Sequence, residues 1–131
     1  MSIANLNTWR TKRADFLSGN RVNAAKFQNI AIGDDGLDGV GDPKVILGTE
    51  TTLHNELKRK TMQVTTIDAF TYKYFININT DTTDADLIGK RISEFALIDN
   101  ESGLAVMWTK EFTPVLTAGF NQNIELVIEE V

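Results

Sequence analysis

Groups able to do chemistry are few and scattered along the chain. Its 131 residues contain no cysteine and one histidine, which excludes a disulfide framework, a thiolate nucleophile and a Cys-rich zinc site. His54 and Glu56 match the His-x-Glu half of a zinc deaminase signature, but the other half requires cysteines. HExxH is absent, and Ser2, Ser18, Ser93 and Ser102 lie in no Gly-x-Ser-x-Gly elbow, so nucleophilic catalysis has no framework. His54 reads as a helix-surface residue. Glu94 and Glu111 could face each other across a hairpin, as the paired carboxylates of a glycosidase do at about 5–9.5 Å. The stronger reading of Glu94 is a charge reaching solvent from the open end of a strand.

Calcium is the one metal whose ligand pattern is partly present. Gly33 to Gly48 holds five glycines, four aspartates and Pro43. Counting Asp34 as the first position of a twelve-residue calcium loop places Asp38 fifth, Gly39 sixth and Asp42 ninth. Gly36 stands at the third position and Val45 replaces the terminal glutamate, so the sequence predicts no tight calcium site and no cofactor. The same aspartates would repel phosphate. The stretch reads as a long loop, the least stable part of the body and a contact surface.

The elements that would position these groups are mostly strands. Ile92 to Phe112 predicts a hairpin, with Asp99-Asn100-Glu101-Ser102-Gly103 as its turn and Gly103 in a left-handed conformation. Both faces of both strands are apolar, with Phe95, Leu97, Val106 and Trp108 as predicted core, so both faces must be covered. Phe27 to Gly33 reads as a short strand. Met62 and Val64 mark a half-buried strand before a bend at Asp68-Ala69. Phe70, Tyr72, Tyr74, Ile76 and Ile78 alternate with Thr71, Lys73, Asn77 and Asn79 in the clearest strand. Phe120, Ile124, Leu126 and Ile128 face inward from the last one. Leu53 and Leu57, four apart after Thr49, predict a short helix near residues 50–58. Ile3, Leu6, Trp9, Phe16 and Leu17 predict an amino-terminal helix at about residues 5–17, stopped by Gly19. The expected fold is mainly β: an antiparallel β-sandwich with an N-terminal helix and one short internal helix.

Length suits one domain burying about two-thirds of its unfolded surface. No apolar run approaches the roughly 20 residues that span a bilayer, and the amino terminus is amphipathic rather than a signal peptide, which predicts a soluble protein and no membrane partner. The net charge of −5 argues against nucleic acid. Charge is split, +4 over residues 1–26 and −9 over residues 27–131. A basic amphipathic arm (1–26) thus precedes a β-sandwich body (27–131). Leu6, Trp9, Arg10, Arg13, Phe16 and Leu17 are the candidate partner-binding residues of that arm, taken as loosely joined and removable.

Three segments, IAIG at Ile30 to Gly33, LHNELKR at Leu53 to Arg59 and ISEFALID at Ile92 to Asp99, recur in order and spacing. Together they resemble the amino-terminal domain of phage tail-collar fibre and related tailed-phage virion proteins over roughly residues 27–131. Ala96 stands where those proteins usually have glycine, and the long carboxy-terminal fibre region is missing. The resemblance implies a non-enzymatic structural component of a tail, collar or baseplate that joins larger virion parts. Its partners would be other virion proteins and copies of itself in a homo-oligomer, its place the virion, and before assembly the host cytoplasm. A head-decoration subunit, or a small calcium- or carbohydrate-binding β-sandwich module, is the alternative.

Overall fold

In the computed structural model, which describes residues 2–110 and 114–129, the hairpin forms as the alternation predicts. β6 (Glu94–Asp99) and β7 (Leu104–Thr109) pair antiparallel, and every residue of both strands is buried. Asp99 makes the turn by accepting the Glu101 and Gly103 amides on Oδ1 at 2.8 and 3.0 Å. The left-handed residue is Ser102 (φ 64°), not Gly103. Gly103 instead lies close under the ion pair, where a Cβ would come 3.0 Å from Lys12 Nζ and 3.2 Å from Asp99 Oδ2.

Around this hairpin stand β1 (Ser2–Asn5), α1 (Asn7–Leu17), β2 (Phe27–Gly33), β3 (Glu56–Thr61), β4 (Gln63–Asp68), β5 (Thr71–Asn79), a 3-10 turn (Ala85–Leu87) and β8 (Asn121–Glu129). They build two antiparallel sheets, β1-β7-β6-β2-β3 and β4-β5-β8. The result is the predicted mainly-β, sandwich-like architecture with one α-helix.

Register explains the core. Ile32, Phe95 and Trp108 lie side by side across the larger sheet, as do Ile30, Leu97 and Val106. These rows pack against Ile76, Ile78 and Leu126 of the smaller sheet, with Phe95 stacked on Trp108 at 5.3 Å. Between them, Ala31, Ala96 and Met107 form a row of mostly small residues on the opposite face. Their low profile lets the segment between β2 and β3 lie flat, and it covers them with Ile46 and Leu53, joined by Leu6. The acidic loop is therefore a cover for the hairpin's second face, not the loose surface expected.

Three further expectations change. Residues 50–58 contain no helix: the chain turns there and enters β3, because Leu53 packs on the loop-covered face while Leu57 packs toward the inter-sheet core. Four-residue spacing was coincidental. The strand at Val64 is exposed along its whole length rather than half-buried. The amino-terminal arm is not loosely joined. β1 pairs with β7, Leu6 is fully buried, Leu6 N donates to Ala105 O at 2.9 Å, and Trp9 stacks on Phe27 at 4.7 Å. The helix starts at Asn7 because residues 2–5 are used as a strand, and Gly19 (φ 83°) ends it as expected.

A buried acid joins the two sheets. Asp84, just after β5, has a fully buried side chain 2.9 Å from Lys58 Nζ and 2.7 Å from Lys60 Nζ, both on β3. It also accepts the Asn79 amide and the Thr83 hydroxyl. Burial pushes its pKa up, but Lys60, the Asn79 amide, Lys58 and Thr83 outweigh that and hold it well below the usual carboxylate range.

Two outcomes follow from this packing. Trp108→Ala, which opens a cavity between the sheets, lowers unfolding free energy by about 3–5 kcal/mol; an unchanged denaturant midpoint would contradict the placement of Trp108 in the core. For Asp84 the folded pKa lies below the unfolded one, so its contribution is full above about pH 4 and is lost as pH falls through the folded value. Asp84→Asn should cost roughly 2–3 kcal/mol at neutral pH and flatten the fall of stability with acid. Urea unfolding of parent and variant at about pH 7 and about pH 3 reads both effects.

Candidate functional site

The end of β2, the turn before β3 and the start of β6 meet at one carboxylate. Glu94 does not reach solvent; its side chain is fully buried. Its Oε1 accepts the Asn55 amide at 2.9 Å and its Oε2 lies 3.1 Å from His54 Nδ1. Asn55 reaches on to β2's end, donating from Nδ2 to Asp34 Oδ1 at 2.6 Å, while Asp34 N donates to Asn55 O at 3.3 Å. Gly33 sits between them, and a Cβ there would lie 2.4 Å from Asn55 O and 2.6 Å from Glu94 Oε1. Gly36 is equally confined: its amide donates to Ser93 Oγ at 2.8 Å and a Cβ would fall 2.1 Å from Ser93 O. His54 is thus a turn residue facing a buried acid rather than a helix-surface group.

Chemically this cluster is spent on structure. A carboxylate closed in by a backbone amide and an imidazole has no approach for a reacting atom and no nucleophile within its described contacts. Glu111, the second carboxylate of a glycosidase pair, lies outside the described residues.

The calcium candidates do not converge. Asp34 is held by Asn55, and Asp38 Oδ1 accepts the Val40 and Asp42 amides at 2.9 and 3.0 Å, an Asx turn that closes the loop on itself. Asp42 offers its carbonyl back to Asp38 N at 2.8 Å. Lys44 takes Asp35 at 2.9 Å and holds that carboxyl below its ordinary value. Among the described residues no group of three or more histidine or acidic side chains is arranged to hold a metal.

The partner-binding candidates divide in two. Leu6 and Trp9 are buried in their own fold, whereas Arg10, Arg13, Phe16 and Leu17 are exposed, Leu17 at 79%. Phe16 and Leu17 border a hollow of about 200 Å³ with Trp9, Arg13, Ala24 and Ala25. Lys12 binds Asp99 at 2.7 Å and Glu101 at 3.2 Å and so anchors α1 to the hairpin turn. Arg21 also pairs with Glu101. A second cleft, about 280 Å³, has Trp9, Phe27, Tyr72 and Tyr74 on its walls. Val64 and Phe70, which the alternation set on apolar strand faces, and Ile67, which it did not single out, are more than half exposed on β4 and the turn into β5, with Phe70 just outside β5. Alternation alone cannot reveal their exposure, since Val64 lies in the same row as Tyr74 and Leu126 and would be buried if the larger sheet extended beneath it.

Glu94→Ala should destabilise by about 3 kcal/mol, because it removes a fully buried carboxylate and leaves the Asn55 amide without its acceptor. Gly33→Ala should also destabilise, since its Cβ meets backbone. Hydrogen exchange should show both variants loosening residues 34–55 before the hairpin; uniform exchange in both would mean that Glu94 does not hold the loop. No helix among the described residues is long and apolar enough to cross a membrane. Set beside known protein families, curated proteins and solved structures, the chain has no match in any of the three.

Proposed function

We propose that this chain is a non-enzymatic structural subunit of a tailed-phage particle, an adaptor in the tail, collar or baseplate that contacts other virion proteins and copies of itself. One observation carries the reading: the three segments that resemble tail-collar proteins contribute Gly33, Asn55 and Glu94 respectively, and these meet around the buried Glu94 carboxylate. Residues shared with a structural family are here the ones that lock a cover onto a central hairpin. That is what a resemblance in fold, rather than in a reaction, requires.

The chain's reactive inventory points the same way. Asp84, Glu94 and Asp99 have fully buried side chains and each is taken up by structural partners. Among the exposed large apolar groups are Phe16 and Leu17 at the helix end and Val64 and Ile67 on β4. Exposed aliphatic and aromatic groups on a rigid body suit protein contacts.

Mass spectrometry of purified particles from the host phage should find the chain at fixed stoichiometry with tail or baseplate proteins. Phe16→Glu with Leu17→Glu should leave the thermal transition unchanged and deplete the chain from particles. Its absence from particles would overturn the virion reading. Normal incorporation of the double variant would remove the helix end from the contact surface.

A further inference from the structure

Four strands of the two sheets have only one neighbour, and their chemistry differs sharply. β3 carries Lys58, Arg59 and Lys60, and β8 carries Glu125 and Glu129; either would set like charges against itself in a symmetric pairing. β1 is four residues long. β4, Gln-Val-Thr-Thr-Ile-Asp over Gln63–Asp68, has no charge until its last residue, and all six residues are exposed. Among the described residues its outer backbone edge has no partner strand. Natural sheets protect such an edge with charge, proline or cover, and over Gln63–Ile67 this strand has none of these.

We propose that β4 is a self-association edge, pairing antiparallel with β4 of a second copy to join two three-stranded sheets into one of six strands. The occupant is a second copy because the strand is compatible with itself. A two-fold axis normal to the sheet relates like face to like face, which admits only registers that pair residues of the same alternation. The central such register sets Thr65 opposite the partner's Thr65 and Val64 opposite the partner's Thr66. No charges meet, and β-branched residues face each other across the seam, a favourable cross-strand arrangement. The bulge between Thr66 and Asp68, present in both copies, limits the pairing at each end of the seam and keeps Asp68 out of it. Val64, Ile67 and Phe70, exposed at 55%, 54% and 65%, lie on or beside the seam.

This deepens the assembly reading by naming one of its surfaces, and it rests on that reading only in taking copies of the chain as partners. Sedimentation of the purified chain tests it without particles, so its failure leaves the virion role standing. The parent should sediment as a concentration-dependent dimer. Thr65→Glu is the decisive variant: within one copy it sits opposite Lys73 on β5, a compatible pair, while across the axis it opposes a second glutamate. It should be monomeric with an unchanged thermal transition, and mixing it with Thr65→Lys should restore a mixed dimer. A monomeric parent at all concentrations, a dimer indifferent to Thr65→Glu, or two variants that fail to combine would each overturn the proposal. So would a monomeric parent whose edge instead captures a strand of another particle protein.

Discussion

A hairpin with no wettable face governs this molecule. Every residue of Glu94–Asp99 and Leu104–Thr109 is buried, so neither side can be left to solvent and the rest of the chain is arranged as two unlike covers. On one side Ile30, Ile32, Phe95, Leu97, Val106 and Trp108 meet a second sheet, where bulky side chains from both layers interdigitate. On the other, the row of Ala31, Ala96 and Met107 offers little height, and an irregular segment suffices to close it with Ile46 and Leu53. A regular third layer would need larger side chains to fill the gap.

Each cover is tied down by a buried acid. Glu94 holds the loop through Asn55 and His54, Asp99 holds α1 through Lys12, and Asp84 holds the smaller sheet through Lys58 and Lys60. Their three side chains are fully buried. Burying a carboxylate is costly unless hydrogen bonds and counter-charge replace its water, which makes each acid demanding about its partner's position. The hydrophobic rows supply the drive for collapse; the acids select which loop, helix and edge end up where. The charge asymmetry of the sequence acquires a local meaning here, since the basic helix meets the acidic hairpin turn of its own chain.

The functional reading follows from what these ties consume. A chain whose buried carboxylates serve as fasteners, and whose exposed apolar groups include those of a helix end and an uncharged edge strand, has surfaces for other proteins. The cleft beside α1 has Trp9, Phe27, Tyr72 and Tyr74 on its walls, rings that pack on one another between the helix and the sheets.

Local pattern was enough to determine β5 and β8, because a two-residue alternation is imposed by the pleat of a strand with one face buried, and to determine β2 and the central hairpin, short apolar runs bounded by turn residues. Gly19's role as a helix stop was equally legible, being a matter of one residue's φ. The amino-terminal segment was only half so, since a stripe of Ile3, Leu6 and Trp9 is also what a short strand running into a helix produces. Tertiary structure alone decided the rest. Leu53 and Leu57 have helical spacing, and only the sheet between them shows that they belong to different cores. Val64 has the alternation of a buried residue, and only the limited extent of the larger sheet leaves it in water. Glu94 resembled a stray charge because its partners are 39 and 40 residues away in sequence. Burial and ion pairing depend on which distant segments arrive at a residue, and no local periodicity carries that information.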